Sequence, residues 1–137
     1  MSEEQAKSKF GNARVARLAS TAANGQPHLV PVTFALYESV IVIAVDHKPK
    51  STTDLKRLRN IREVDRVSLI VDHYDDADWS NLWWVRADGR ARVLEAEEDR
   101  ATPVSWLVRK YPQYQAMAPA GPVIWCKIDT WRSWSYV

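Results

Sequence analysis

Short stretches in which apolar residues alternate with polar ones, or follow one another without interruption, recur along the whole chain. Such stretches, bounded by turn residues, are typical of β-strands. They predict six strands, at residues 15–21, 29–37, 40–45, 67–74, 82–94 and 123–128. The fifth stretch is ambiguous, because Asp88-Gly89 could close a tight hairpin or Gly89 could mark a kink in one long strand.

Helical spacing of apolar residues, together with helix start and stop signals, predicts helices in three segments: residues 3–10, 55–61 and 97–110. A doubly wound sheet needs a helix between most strands, and only one of these helices is placed as such a crossover. The pattern therefore favours a mainly β fold, an antiparallel barrel with short helices at its ends.

A proline interrupts the second predicted strand. Pro31 removes a hydrogen-bond donor from the ladder. Sheets tolerate such a residue at an edge, at a bulge or where a strand approaches a ligand. We therefore expect Pro31 in one of these three settings.

The composition bounds the class of protein. A length of 137 residues predicts one domain over residues 1–137, and 46% hydrophobic with 26% charged residues is typical of an ordered globular chain. The net charge of +2 is too small to argue for a nucleic-acid or membrane partner. No apolar run reaches the length of a membrane span, and the acidic start differs from a secretory signal. The single cysteine, Cys126, cannot form an internal disulfide, so a cytoplasmic location and a buried, inert thiol are expected.

Seven tryptophans are unusual in so short a chain. A core of this size rarely needs that many, so some are expected to face a ligand or a subunit partner. Trp83 and Trp84 are adjacent, and adjacent side chains of a strand point to opposite faces. Only one of these two residues can therefore join a given stacking platform.

A basic, hydroxyl-rich loop follows the third predicted strand and precedes the helix at 55–61. Its two lysines and three hydroxyl residues are Lys48, Lys50, Ser51, Thr52 and Thr53. A helix start offers free backbone N–H groups and a positive dipole end, so together with these side chains it can hold a phosphate. The alternative is structural: one hydroxyl caps the helix, and both lysines are solvated loop charges.

The motifs of several common enzyme classes are absent from the sequence. It has no Gly-x-Ser-x-Gly, Walker loop or dinucleotide glycine fingerprint, which disfavours a serine hydrolase, an NTPase and the usual nicotinamide dehydrogenase. The three histidines and the cysteine lack metal-ligand spacing, so no metal is expected. Acidic residues after His73 could attract a cation, but a solvated loop is the simpler interpretation. Basic residues between Lys48 and Arg66, with the aromatics, leave single-stranded nucleic acid as a disfavoured alternative partner.

Several segments follow one another in a recognisable order. They are Gly25-Gln26-Pro27-His28-Leu29-Val30-Pro31-Val32, the apolar third strand, the loop at 48–53 with its leucine/arginine helix, and the strands at 66–71 and 85–93. In this order they resemble the split β-barrel flavin-binding proteins related to pyridoxamine 5′-phosphate oxidase. The resemblance is strongest to the branch of probable deazaflavin-dependent members, which use coenzyme F420, and it covers roughly residues 8 to 131.

The resemblance implies a six-stranded antiparallel split β-barrel of the FMN-binding type, with short flanking helices. It also implies a homodimer with two cofactor sites between the subunits, and it favours Gly89 as a kink in one strand. The second strand would lie along the edge of the flavin-like ring, the loop after the third strand would hold the phosphate, and the partner subunit would cover the ring. The implied residues are Val30, Pro31, Val32 and Thr33 for the ring edge, Lys48, Lys50, Ser51, Thr52 and Thr53 for the phosphate, and Trp83 for the partner's side.

The chain departs from the oxidases of this family. Its predicted second strand contains no arginine, and we expect the chain to lack the longer C-terminal segment with which the oxidases bind pyridoxamine. Pyridoxamine phosphate oxidation is therefore not expected, and the missing arginine weakens the case for FMN while being compatible with coenzyme F420. The expected function is an oxidoreductase that transfers a hydride between coenzyme F420, or alternatively FMN, and a small organic substrate. No catalytic residue is identified, and a non-catalytic carrier of a flavin, deazaflavin or tetrapyrrole is the alternative.

Overall fold

The computed structural model describes residues 1–45 and 56–137. Within these residues, seven strands form one antiparallel sheet that is flanked by four α-helices and a short 3₁₀ helix. In chain order the elements are α1 (Glu3–Asn12), β1 (Ala16–Thr21), β2 (Pro27–Val32), β3 (Phe34–Tyr37), β4 (Val40–Ala44), α2 (Lys56–Glu63), β5 (Arg66–His73), the 3₁₀ helix (Trp79–Asn81), β6 (Trp83–Leu94), α3 (Glu97–Lys110), α4 (Pro112–Ala116) and β7 (Val123–Ser135).

The sheet curls round because its two edge strands are neighbours in the sequence. The strand order is β2-β1-β5-β6-β7-β4-β3, so β2 and β3 lie at opposite edges. Only Thr33 separates them in the chain, and one residue spans about 3.5 Å. The two edges therefore meet at Thr33, which closes the sheet into a barrel that is split between β2 and β3. This arrangement confirms the predicted mainly β, split-barrel fold.

The structure corrects two strand predictions. The predicted strand at 29–37 is two strands, because residues before Thr33 pair with β1 and residues after it pair with β4. The described sheet therefore has seven strands, not six. The predicted last strand is too short, since β7 continues to Ser135 and pairs with β6 along its whole length. The three predicted helices are confirmed in their described parts, and α4 is an additional one.

The long strand β6 bends at Gly89. Its register with β7 shifts between Asp88 and Gly89, which is the signature of a β-bulge. A Cβ atom at position 89 would collide with the carbonyl oxygen of Lys127 and would lie 2.9 Å from the Cα atom of Ile128. The structure thus confirms one kinked strand, and the hairpin alternative is wrong.

Two apolar cores lie on the two sides of the sheet. The barrel core fills the interior, where the ring of Phe10 from α1 meets that of Phe34 edge-on at a centroid distance of 5.0 Å. The helix-side core lies outside, where Leu107 and Tyr111 of the α3 end pack against β3, β4 and β7. Cys126 belongs to the barrel core, and burial raises the pKa of its thiol to about 12. The prediction of a buried thiol is therefore confirmed.

Candidate functional site

One edge of β2 has no partner strand among the described residues. The turn that joins β1 to β2 determines which backbone groups face this open edge. In this turn the N–H of Ala22 donates to the carbonyl oxygen of Gln26 at 2.9 Å, so these two residues form a hydrogen-bonded pair. Hydrogen-bonded and non-hydrogen-bonded pairs alternate along an antiparallel ladder. Three residues of β2 therefore turn their backbone groups towards β1, namely His28, Val30 and Val32. The other three turn them towards the open edge, namely Pro27, Leu29 and Pro31.

The open edge of β2 is rich in acceptors and poor in donors. Pro27 and Pro31 have no N–H group, so this edge has three carbonyl oxygens and the single N–H of Leu29. The carbonyl oxygen of Pro27 also accepts the side-chain amide of Gln26 at 3.4 Å. A proline there costs the ladder nothing, which explains why β2 contains two of them. The prediction that Pro31 lies at a sheet edge, one of three expected settings, is confirmed.

The four residues predicted for the ring edge differ in exposure. Pro31 is exposed, and Val30 and Thr33 are half-buried. The side chain of Val32 belongs to the barrel core, so it is not available to a ligand. Contact of this stretch with a ligand is therefore limited to the backbone edge and the side chains of Val30, Pro31 and Thr33.

The loop predicted to hold a phosphate lies outside the described residues, with Lys48, Lys50, Ser51, Thr52 and Thr53. The elements on either side of it are described, and they are the predicted strand and helix: β4 ends at Ala44, and α2 runs from Lys56 to Glu63. The phosphate role of this loop stays a prediction.

The two adjacent tryptophans of β6 lie on opposite faces. Trp83 lines a cavity of about 500 Å³, where its ring stacks on that of His73 at a centroid distance of 6.2 Å. The ammonium of Lys9 lies 5.0 Å from the centroid of the Trp83 ring. Trp84 pairs with Asp72 and Trp134 on the outer face of the sheet. Trp83 is thus the one of the pair that faces this cavity, and its role towards a cofactor stays a prediction.

A cluster of hydroxyl groups surrounds the point where β2 passes into β3. The Oγ1 atom of Thr33 lies 2.8 Å from the phenolic oxygen of Tyr114. The hydroxyl of Tyr111 accepts the N–H of Phe34 at 3.1 Å and donates to the carbonyl oxygen of Arg14 at 2.8 Å. Sequence reasoning missed this cluster, because its members come from three separate segments. The one local signal is the pair of tyrosines three residues apart after the end of α3.

Two cations border the hydroxyl cluster. Lys110 donates to the carbonyl oxygen of Ala13 at 2.7 Å, and Arg14 donates to the carbonyl oxygen of Lys110 at 3.1 Å. Burial and the charge of Arg14 lower the pKa of Lys110 to about 8. Burial also raises the pKa of Tyr111, so this phenol stays protonated at neutral pH. The region therefore combines positive charge with neutral hydroxyl groups.

The carboxylates of the acidic loop after His73 accept hydrogen bonds from other residues of the same loop. Asn81 donates to the carboxylate of Asp75 at 3.2 Å, and the hydroxyl of Ser80 donates to that of Asp78 at 2.6 Å. These hydrogen bonds hold the pKa values of both carboxyl groups below their ordinary value. In the part of the chain that the structure describes, no group of three or more His, Cys, Asp or Glu residues could hold a metal ion.

The sequence matches the family model described as pyridoxamine 5′-phosphate oxidase over residues 2–135. The fold defines a split β-barrel protein, and the match spans nearly the whole chain. This protein therefore belongs to the pyridoxamine 5′-phosphate oxidase family, which confirms the predicted family, while the closer resemblance to its F420-using branch stays a prediction. Across residues 1–45 and 56–137, no helix is long and apolar enough to cross a membrane.

Three known proteins illustrate what the chain is similar to. A 5a,11a-dehydrotetracycline/5a,11a-dehydrooxytetracycline reductase of Streptomyces rimosus is 29% identical over 99 residues, which are 71% of this chain and 68% of that protein. A conserved hypothetical protein from Mycobacterium tuberculosis superposes with a TM-score of 0.79 at 22% identity, over 98% of this chain and 85% of that one. A heme-binding protein from Mycobacterium smegmatis superposes with a TM-score of 0.76 at 19% identity, over 97% of this chain and 54% of that one. The two structural likenesses show the shared fold.

Proposed function

We propose that this chain is an oxidoreductase that binds coenzyme F420, with FMN as the alternative cofactor, and transfers a hydride to or from a small organic substrate. The observation that carries the proposal is the open edge of β2, which leads directly into Thr33, in a chain of this family. A flavin-like ring has N–H groups on its rim, and the row of carbonyl oxygens on this edge can accept them. The reductase from Streptomyces rimosus supports redox chemistry for the chain.

The phosphate of the cofactor is proposed to bind the loop between β4 and α2. Two lysines and three hydroxyl groups there supply charge-assisted and neutral donors, namely Lys48, Lys50, Ser51, Thr52 and Thr53. The absence of arginine from β2 favours coenzyme F420 over FMN, because the family's oxidases have an arginine in the equivalent strand.

When bound, the cofactor supplies the hydride chemistry. The residues of the chain bind and orient it: the carbonyl edge sets the position of the ring, and Val30 and Thr33 border it. Apolar and aromatic cover excludes water from the ring, which protects a reduced cofactor from side reactions. This division of labour requires no general acid or base from the described residues.

A homodimer is proposed to complete each site, with the partner's Trp83 covering the ring. The outer face of the sheet carries the directly paired side chains of Trp84 and Trp134. Leu29 and Ile70 lie on the same face in other rows of the sheet, where Ile70 pairs with Arg17 and Arg86. Leu29 is 69% exposed and Trp134 is 43% exposed in the single chain. Exposed apolar side chains on one face are typical of a subunit interface. The single buried cysteine is compatible with the cytoplasm, which we propose as the location.

The cofactor is tested by titrating the purified protein with coenzyme F420 and with FMN and following the fluorescence of each. We expect saturable binding of coenzyme F420 at micromolar concentration and weaker binding of FMN. If neither compound binds at that concentration, the cofactor assignment is wrong.

The second candidate function is a non-catalytic carrier of a flavin or a tetrapyrrole. His73 favours it, because its imidazole lines the 500 Å³ cavity beside Trp83 and imidazole is a common ligand of heme iron. The fold is also that of a heme-binding protein. Titration with hemin, read from the Soret band, separates the candidates: binding that depends on His73 supports the carrier. Steady, substrate-dependent oxidation of the reduced deazaflavin excludes it.

A further inference from the structure

A second cavity, bordered by several polar side chains, lies just beyond the end of the open edge. It has a volume of about 300 Å³ and is lined by Arg14, Thr33, Tyr111, Gln113 and Tyr114. Thr33 belongs both to this cavity and to the stretch proposed to border the cofactor ring. The cavity therefore adjoins the position proposed for the cofactor ring.

Arg14, which lines this cavity, and Lys110, which lies near it, have no carboxylate partner in the described part of the chain. The guanidinium carbon of Arg14 lies 4.9 Å from the centroid of the Tyr111 ring, and Nζ of Lys110 lies 5.2 Å from the same centroid. Among residues 1–45 and 56–137, neither cation forms an ion pair with a carboxylate. Arg14 also contributes, after burial, to the lowered pKa of Lys110, which shows that the two charges act on each other. A bound anion relieves this repulsion.

Hydrogen-bond donors around the cavity outnumber the acceptors that they contact. Arg14 has five N–H groups, and one nitrogen donates to the carbonyl oxygen of Lys110. Thr33 and Tyr114 share one hydrogen bond, so one of the two hydroxyls keeps a proton to donate. The exposed side chain of Gln113 adds an amide. These groups converge on one space, and each can donate to oxygen.

We propose that this cavity binds the carboxylate of an organic acid, with Arg14 as the charged donor. The amide of Gln113 and the free hydroxyl of the Thr33–Tyr114 pair complete its contacts. A carboxylate suits the site because the planar guanidinium matches its two oxygens. Lys110 does not line the cavity, but its charge makes the electrostatic potential in the cavity more positive. The assignment of this carboxylate to the redox substrate rests on the proposed function.

The probe for the site is para-fluorobenzoate, a small aromatic carboxylate, followed by fluorine NMR at neutral pH. Arg14→Gln is expected to weaken its binding by about tenfold or more, which is the effect of losing a charge-assisted hydrogen bond. Gln113→Glu places a negative charge on an exposed lining residue, where it does not disturb folding, and is expected to weaken binding by about tenfold as well. Arg109→Gln is the matched control: it removes an exposed charge from the same end of α3, outside the cavity, and is expected to change affinity by less than about twofold.

Equal affinity of the wild type and both cavity variants, or no binding to the wild type, overturns the anion site. The titration with coenzyme F420 is run on the same samples. Cofactor binding without Arg14-dependent binding of fluorobenzoate overturns this inference alone and leaves the proposed function standing. Arg14-dependent binding of fluorobenzoate without cofactor binding supports the anion site and overturns the proposed function, together with the role of the carboxylate as a redox substrate.

Discussion

The side-chain oxygen of Thr33 lies 2.8 Å from the phenolic oxygen of Tyr114, although 81 residues separate them in the chain. Thr33 is the single residue between the two edge strands, and Tyr114 is part of α4. Tyr111, just before α4, holds the next backbone N–H, that of Phe34. Tyr111 and Tyr114 therefore hold the place where the barrel closes: Tyr114 contacts the side chain of Thr33, and Tyr111 binds the backbone N–H of Phe34.

Removal of the Tyr114 hydroxyl tests this closure. Tyr114→Phe leaves the ring in place and removes one part-buried hydrogen bond, so the free energy of unfolding is expected to fall by about 1 kcal/mol. Urea unfolding measures the change. Tyr136→Phe is the control, since Tyr136 is exposed, and its effect is expected to be within about 0.5 kcal/mol. Equal stability of the two variants would show that the bond to Thr33 contributes nothing.

Because of the bulge in β6, the addition of a single methyl group at Gly89 is expected to destabilise the folded protein strongly. Gly89→Ala forces a Cβ atom against the backbone of Lys127 and Ile128, which cannot move away without breaking the β6–β7 ladder. We expect a loss of about 2 kcal/mol or more in the free energy of unfolding. At Gly121 a Cβ atom would meet its nearest neighbour, the carbonyl oxygen of Val45, at 3.6 Å. Gly121→Ala is therefore the matched control, and a comparable loss there would contradict the steric explanation.

Lys110 makes stability depend on pH. Its pKa is about 8 in the folded protein and 10.5 ordinarily, so between these values the unfolded chain binds more protons. The free energy of unfolding is then expected to rise as pH rises from about 8 towards 10, because the buried ammonium is progressively neutralised. Lys110→Met lacks this contribution. The difference in stability between wild type and variant, measured by urea unfolding across this range, is expected to shift in favour of the wild type. Tyr111 is present in both proteins, so its contribution to the pH dependence cancels in the difference. A difference in stability that does not change with pH would refute the role of Lys110.

Lys50 tests the proposed phosphate site. Lys50→Ala is expected to weaken binding of coenzyme F420 by about 1–3 kcal/mol if the ammonium pairs with the phosphate. The salt dependence of the affinity is expected to decrease with it, because one charged contact is lost. Lys7→Ala removes a half-buried lysine that pairs with Glu3 on α1 and lies over the ring of Trp131, and it serves as the control. Unchanged affinity and salt dependence would make Lys50 an ordinary loop charge.

Substitutions of the two adjacent tryptophans are expected to affect different properties of the protein. Trp83→Ala removes an aromatic wall of the 500 Å³ cavity and is expected to weaken binding of coenzyme F420 by about 1 kcal/mol or more. Trp84→Ala alters the outer face and is expected to weaken the dimer instead. Cofactor titration and light scattering measure the two effects. The reverse pattern would exchange the roles of Trp83 and Trp84.

Most of the barrel follows from local pattern. The alternation in β1 and β5 and the unbroken apolar run of β4 are visible in the sequence, and Pro31 indicates a sheet edge, a bulge or a ligand-facing stretch. The break at Thr33 does not follow, because Val32 and Phe34 continue the apolar pattern while the strand changes its partner. The second half of β7 does not follow either, since the polar pair Asp129-Thr130 conceals a strand whose inward residues include Trp131.

The candidate site, like the fold, can be predicted from the sequence only in part. Alternation shows that Trp83 and Trp84 face opposite sides, but only the three-dimensional structure shows which of them lines the cavity. The contacts of Arg14 with Tyr111 at the end of α3 and of Thr33 with Tyr114 of α4 join residues some 80 to 100 positions apart. Such contacts depend on how the whole sheet curls, and short-range sequence patterns carry no information about them.

The two prolines of β2 also bear on how the protein behaves in concentrated solution. An unpaired strand edge is a template on which other chains can add strands and aggregate. Pro27 and Pro31 deprive this edge of two of its three outward donors, so a further strand cannot complete a ladder there. The split in the barrel can thus stay open to a small molecule without inviting fibrous self-association.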